Sequence, residues 1–420
     1  MNSFQIFRDV YNNIVTTNVL NAENAVINAF DISNLDLENL DLLNNAELKI
    51  GNARVLSGSS TTSSFSLGNT PATNQGQDCI AIGVSSGTSS QAGNSTAIGT
   101  NSGSTSQGTN TVAIGQNAGN TNQGNNTVAL GTNSGQFGQG SSAIAIGLNS
   151  GTSTQGSNSI AIGFTSGNSN QGANSVAIGN IAGQISQGAG SVAIGQNSGT
   201  GGQGIGCVSI GQTASANNQG NQSVSIGGNA GNPLQGSGCV ALGNNTGAVQ
   251  GANSVAIGSG AGQTAQGANS VAIGSGAGQT GQGGNSVAIG TSSGSNTQGA
   301  NSVIVGCNSG STVVGDNTIL IGQGIGQEGV QSNNIIIGCS AQQTLLAGQH
   351  NIIVGHGAKA GPGLSGCIVL GKDAESVISG ELSIGSSTFP LTITPAGGAL
   401  DTYLNIILNG TQYKIPLHQV

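Results

Sequence analysis

The apolar residues of this chain fall into short triplets, each closed by a glycine. Val255-Ala256-Ile257-Gly258 is one instance. The closing glycine stands at 83, 99, 115, 131, 147, 163, 179, 195, 211, 227 and 243, always 16 residues apart. The turn at Ala248-Val249-Gln250 is one residue short, and the series resumes at 258, 274, 290, 306, 322 and 338, then 355, 371 and 385. Weaker copies end at Gly51 and Gly68. This constant period is the signature of a repeat architecture and predicts about 22 coils over residues 49–386.

A helix does not fit the repeat, because each coil holds several glycines and each costs about 1 kcal/mol in a helix. The short apolar run bounded by Asn-Ser and Gly reads as a strand of about 4–5 residues. A constant period of such strands implies an all-β chain, a parallel β-solenoid (β-roll) with 16-residue coils stacked on one another. At about 4.8 Å per rung the rod is on the order of 100 Å long.

Alternation within a strand assigns faces. Val255 and Ile257, like Val271 and Ile273, share one face and are expected to form the solenoid core. Small residues such as Ala261 and Gly262 line the second side, giving a thin coil. The column between the β-branched residues is almost pure alanine: Ala81, Ala97, Ala113, Ala129, Ala145, Ala161, Ala177, Ala193, Ala256, Ala272 and Ala288. It then turns bulky, with Ile304, Leu320, Ile336, Ile353 and Val369. Small side chains allow close approach of another sheet, and exposed aliphatics invite aggregation. This column is therefore expected to pack against partner chains. The alternative is a wider core within one chain.

A second ladder is Gln-Gly, repeated from Gln107 to Gln298. Stacked amides hydrogen-bond along such ladders. It reads as a stabilised turn, with a sugar- or ice-binding stripe as the functional alternative. As a turn, it is expected to tolerate a charge at Gln266.

Composition narrows the function. Glycine numbers 76, charged residues are 5%, aromatics 2% and the net charge is -8. Six Pro exclude collagen, and six Lys+Arg exclude nucleic-acid binding. Residues 79–315 contain no Asp, Glu, Lys, Arg or His at all. A charge in that stretch would stack on like charges in neighbouring coils about 4.8 Å away.

The chemistry of catalysis is thin. Cys79, Cys207, Cys239 and Cys367 replace the Ser before a triplet, whereas Cys307 and Cys339 follow the Gly. The closest pairs are two coils apart, about 9–10 Å, beyond the ~7 Å reach of a disulfide. Free thiols fit folding in a reducing compartment. His350 and His356 have no carboxylate near them in sequence, and Asp316 and Glu328 form no paired acid and base. No catalytic residue, metal site or cofactor site is expected, and the chain is not read as an enzyme.

Asn253-Ser254-Val255-Ala256-Ile257-Gly258 and its copies resemble the head repeats of trimeric autotransporter adhesins. The resemblance covers residues 79–310 well and 311–386 loosely. It implies a left-handed parallel β-roll assembled as a homotrimer. The coils here are slightly longer than that family's. The sequence also shows neither the secretion signal nor the membrane anchor of the family, nor an apolar run long enough to span a bilayer. That combination suits a virus or phage surface-fibre protein, assembled in the host cytoplasm and displayed on the virion. The ending Asn409-Gly410-Thr411-Gln412-Tyr413-Lys414-Ile415-Pro416-Leu417 also resembles the endings of such fibres.

The expected function is a structural fibre or spike for host attachment or capsid decoration. Expected partners are two further copies, a capsid or other particle protein at one terminus, and a host receptor or glycan. A cellular surface adhesin exported by another route is one alternative. An ice-binding solenoid is another, weakened by irregular threonines such as Thr264 against Gly281.

The ends differ from the middle. Phe4, Phe7, Tyr11 and Ile14 have helical spacing, and Leu35, Leu37, Leu40 and Leu42 alternate, so residues 1–48 read as a stem or anchor. Residues 387–420 read as a capping β-hairpin, because Asn409-Gly410 favours a tight primed turn.

Overall fold

The computed structural model describes residues 47–50, 53–59, 63–68, 75–342, 348–390, 403–408 and 411–416. The expected N-terminal helix and the Leu35–Leu42 alternation lie outside the described residues. No helix occurs among those described. The chain is a parallel β-solenoid of about 19 turns with 16 residues per turn.

Each coil has two walls. The first wall is a 23-stranded sheet built from the apolar triplets. Its strands pair in register, so Val255, Ala256 and Ile257 lie beside Val271, Ala272 and Ile273. The second wall is an 11-stranded sheet from Ser89–Gln91 to Val249–Gln250. Isolated parallel bridges carry it on through Gln266, Gln282, Gln298, Val314 and Val330.

The corners explain the composition. Each coil turns through several residues at positive φ, among them Gly258 at 123° and Asn269 at 58°. Glycine and asparagine adopt that region most readily. At Gly258 a Cβ would also lie 2.8 Å from the Gly274 carbonyl carbon of the next coil.

The N-terminal end departs from the repeat. β1 (Glu47–Ile50) and β2 (Ala53–Ser59) pair antiparallel, and β2 pairs antiparallel with β3 (Ser64–Leu67). β3 then opens the parallel ladder against Ile80–Ile82. The coil expected to end at Gly51 is therefore a hairpin. An antiparallel pair continues the sheet while changing its edge, a device that protects a solenoid end. Near the C-terminus, Tyr403–Leu408 and Thr411–Pro416 form the expected antiparallel hairpin.

The two faces of the first wall are the reverse of those expected. Ala81, Ala97, Ala113, Ala129, Ala145, Ala161, Ala177, Ala193, Ala256, Ala272 and Ala288 are fully buried inside their own coil. So are Ile304, Leu320, Ile336, Ile353 and Val369. None of them can meet a partner chain. Val255, Ile257, Val271 and Ile273 point outward and are half-buried. The physical reason is thickness: the alanines do permit a close approach, and the wall that approaches is the second wall of the same coil.

The glutamine ladder occupies that narrow space. Gln266 is 3% exposed, and its Nε2 donates to the Val255 carbonyl at 2.9 Å and to the Ser270 carbonyl at 3.3 Å. The ladder is thus a strut between the two walls rather than a surface turn, which overturns the expectation that Gln266 would accept a charge. From Gln171 to Gln250 the amides also donate to one another, at 3.1–3.2 Å.

Where the alanine column turns bulky, the strut disappears. Ile304 and Leu320 coincide with Val314 and Val330 in the glutamine column, and all four are buried. Large aliphatic side chains fill the space that alanine leaves to the amide.

Candidate interaction surface

The outward face of the first wall carries two parallel columns of β-branched and leucine side chains. One passes through Val112, Val128 and Ile144, the other through Ile114, Leu130 and Ile146. In-register pairing stacks each residue on its counterpart in the next coil, so the columns are continuous. Members of these columns are prominently exposed for aliphatics, with Ile80 at 40% and Leu130 at 41%. The columns continue past the interior switch as Ile319, Ile321, Ile335 and Ile337, and between Ile80 and Ile337 only Thr96 interrupts them with a polar side chain.

The columns are about 7 Å apart and rise about 4.8 Å per rung, so the stripe presents on the order of 1,000 Å². The largest apolar patch on an ordinary monomer is about 300–600 Å². A standard interface buries about 800 Å² on each partner. The stripe therefore has the size and chemistry of a docking surface for another flat apolar sheet.

Other surfaces carry polar ladders, with isolated exposed apolar residues such as Phe137 and Ile185 among serines and threonines. Asn253 donates to Asn269, and Asn269 to Asn285, one coil apart. A cation at such a site would have only amide oxygens and no carboxylate.

The cysteines divide by environment. All six are free. Cys79, Cys207, Cys239 and Cys367 are buried in the serine column, where Sγ takes the hydroxyl's place as donor. Ser270 Oγ donates to Gly283 O at 2.8 Å, and Cys207 Sγ to Gly220 O at 2.9 Å. Burial raises the pKa of the Cys79, Cys207 and Cys239 thiols above its ordinary value. Cys307 and Cys339 are exposed.

Charged groups gather in the last coils. His356 Nδ1 stands 3.9 Å from Asp373 Oδ1, a carboxylate distant in sequence that stacking brings close. Lys359 pairs with Glu375 at 3.2 Å, and the Lys372 ammonium sits 3.8 Å over the Phe389 ring. These groups are exposed or nearly so and contribute little to stability. No group of three or more His, Cys, Asp or Glu is placed to share a metal ion among the described residues. A cleft of about 430 Å³ lined by Thr312, Val313, Glu328, Gln331, Ser332 and Gln349 holds a single carboxylate, so it offers no acid–base pair. Among the described residues no helix is long and apolar enough to cross a membrane.

Sequence reasoning found the right strands and missed which side of them is the surface. The readable signal was the joint change of Ala288 to Ile304 and Gln298 to Val314, which ties the two columns to one interior. No protein-family model and no curated protein matches the chain.

Proposed function

We propose that this chain is a structural fibre protein that assembles as a homotrimer through the outward Val/Ile stripe. One observation carries the reading: an apolar surface, broken only by Thr96 between Ile80 and Ile337, runs along a rod whose other exposed apolar side chains are scattered among polar ones. A second copy is the natural occupant, because its stripe has the same pitch and length and lies in register when the chains are parallel. The number three, like the adhesin-like character, rests on the resemblance of the Asn-Ser-Val-Ala-Ile-Gly repeats to trimeric adhesin heads.

The fibre's place is the surface of a virus particle, for attachment or capsid decoration. Free thiols throughout the rod suit folding in a reducing cytoplasm, where such particles are put together. The coat of Ser, Thr, Asn and Gln suits a spacer that holds a tip away from a base.

Mass measurement of the reduced protein in solution tests the assembly. Three times 40.5 kDa is the expected result, and a stable monomer overturns the proposal. Immunogold labelling of intact particles tests the location, with label on the outer surface expected and label confined to host-cell membranes supporting an exported adhesin instead.

A further inference from the structure

The solenoid has two kinds of interior, and they meet near residue 300. Up to Gln298 each coil encloses alanine, glycine, serine and the glutamine strut. The Oε1 atoms of Gln91, Gln107, Gln123, Gln155, Gln171, Gln266, Gln282 and Gln298 are buried there without a hydrogen bond. From Val303 the interior is a continuous aliphatic cluster of Ile304, Val314, Leu320, Ile325, Val330 and Ile336. Between residues 303 and 342 no buried side-chain nitrogen or oxygen lacks a partner. Asn334 shows the contrast, since its Nδ2 donates to the Gly348 carbonyl at 2.7 Å and its Oδ1 accepts from Asn351 N at 2.8 Å. The coils of residues 303–342 thus combine larger apolar burial with satisfied buried polar groups.

In a solenoid each coil contacts only its neighbours, so folding begins where a few coils are stable together and then spreads. A glycine-rich coil with an alanine interior gains little apolar burial to offset its ordering. It gains most when a formed coil already offers it an edge.

The two regions also differ in how well they define position. Coils such as 258–273 and 274–289 are nearly identical. A copy displaced by one whole coil would meet almost the same surface. Displacement past residue 303 is different, because Asp316, Glu328, Cys307 and Cys339 occur once each and the coil from Gly338 to Gly355 is one residue longer.

We propose that the coils of residues 303–342 are the folding nucleus of the rod and the mark that aligns one copy with another. They order first, and the Ala/Gln coils then add to the Val303–Val305 edge one after another toward the N-terminus. Synthesis delivers residues 79–298 before the nucleus exists, so the repetitive region waits until aligned copies can template it. The nucleation half stands on the interior of a single chain. The alignment half rests on the proposed self-assembly.

Pulsed hydrogen exchange with peptide mass spectrometry, during refolding of the full chain, tests the order. Amides of residues 303–342 are expected to become protected about tenfold sooner than those of residues 112–250, and Ile304→Val and Leu320→Ala to slow protection of both regions. An exposed substitution far from the nucleus and outside the apolar stripe, Thr109→Ser, is expected to leave the refolding rate of both regions unchanged. Earlier or simultaneous protection of residues 112–250 overturns the nucleus, as does unchanged refolding in Ile304→Val.

Electron microscopy of rods refolded from the double variant Asp316→Asn, Glu328→Gln, which removes two of the exposed marks, reads the alignment. Staggered bundles longer than the wild-type rod are expected, and uniform blunt bundles overturn the alignment role. Single-chain rods that still protect residues 303–342 first would refute the proposed self-assembly and the alignment half while leaving the nucleus standing.

Discussion

Ser209 donates its hydroxyl hydrogen to Oε1 of Gln219 across the interior of one coil, at 2.8 Å. Ser225 does the same for Gln235, also at 2.8 Å. Both serines occupy the alanine column. Where that column is alanine, as at Ala272, the facing Gln282 Oε1 has no partner. Replacing Ala272 by Ser should therefore stabilise the coil, although a hydroxyl is added to a buried position. A gain of about 0.5–1.5 kcal/mol is expected for one new buried hydrogen bond. Slower amide exchange around residues 271–287 is the measurement, and faster exchange would falsify this account of the strut.

Gln266→Glu should act in the opposite direction. The carboxylate would face the Val255 and Ser270 carbonyls, which now accept from Nε2, and it would lack a counter-charge. A loss of at least about 3 kcal/mol is expected near neutral pH. Burial raises the folded pKa of such a group above its unfolded value. The neutral acid is then the form the fold tolerates, and the loss shrinks as pH falls toward about 4. Thermal unfolding of the variant at two pH values checks the sign.

The stripe and the interior should respond differently to substitution. Val271→Lys and Ile273→Lys place charge on the outer face and should abolish the proposed assembly while leaving the β circular-dichroism signal intact. Ala272→Val instead adds bulk between the walls, where overpacking costs about 1–3 kcal/mol, and should loosen the coil itself. Sedimentation together with circular dichroism separates the two effects. Dissociated but folded protein from Ala272→Val would contradict the assignment of faces.

Thiol reactivity should separate the buried serine column from the exposed turns. Cys307 and Cys339 should react rapidly with a maleimide in the native protein, and Cys79, Cys207, Cys239 and Cys367 only after unfolding. For Cys79, Cys207 and Cys239 burial raises the folded pKa. Their contribution to stability is complete below the unfolded thiol pKa and is lost as pH rises through the folded one. Native labelling should therefore spread beyond two residues only at alkaline pH, as read by peptide mapping.

Much of this fold was legible because its corners need particular residues. Gly258 and Asn269 sit at positive φ, and residues of that kind at fixed spacing mark most of the turns, although Thr165 and Ile181 hold the same conformation. The hairpin at Tyr403–Leu408 and Thr411–Pro416 was legible for the same reason, from Asn409-Gly410. The faces were not. Alternation shows that Val255 and Ala256 point opposite ways and is silent on which way is in. Size suggested valine, but a coil with two three-residue strands such as Val176–Ile178 and Ser169–Gln171 is too thin to hold both its apolar columns. Nor could sequence alone pair His356 with Asp373, because only stacking makes them neighbours.

The in-register pairing of Ala272 with Ala288, repeated rung after rung, makes the coil a unit of measure. Removing residues 259–274 would join Gly258 to Ser275 and leave every remaining rung with an equivalent neighbour. A duplicated coil would be absorbed in the same way. The length of the solenoid can thus change in steps of one rung, about 4.8 Å, by copying or losing 16 codons at a time. Length becomes a heritable trait that can be tuned without redesigning any contact.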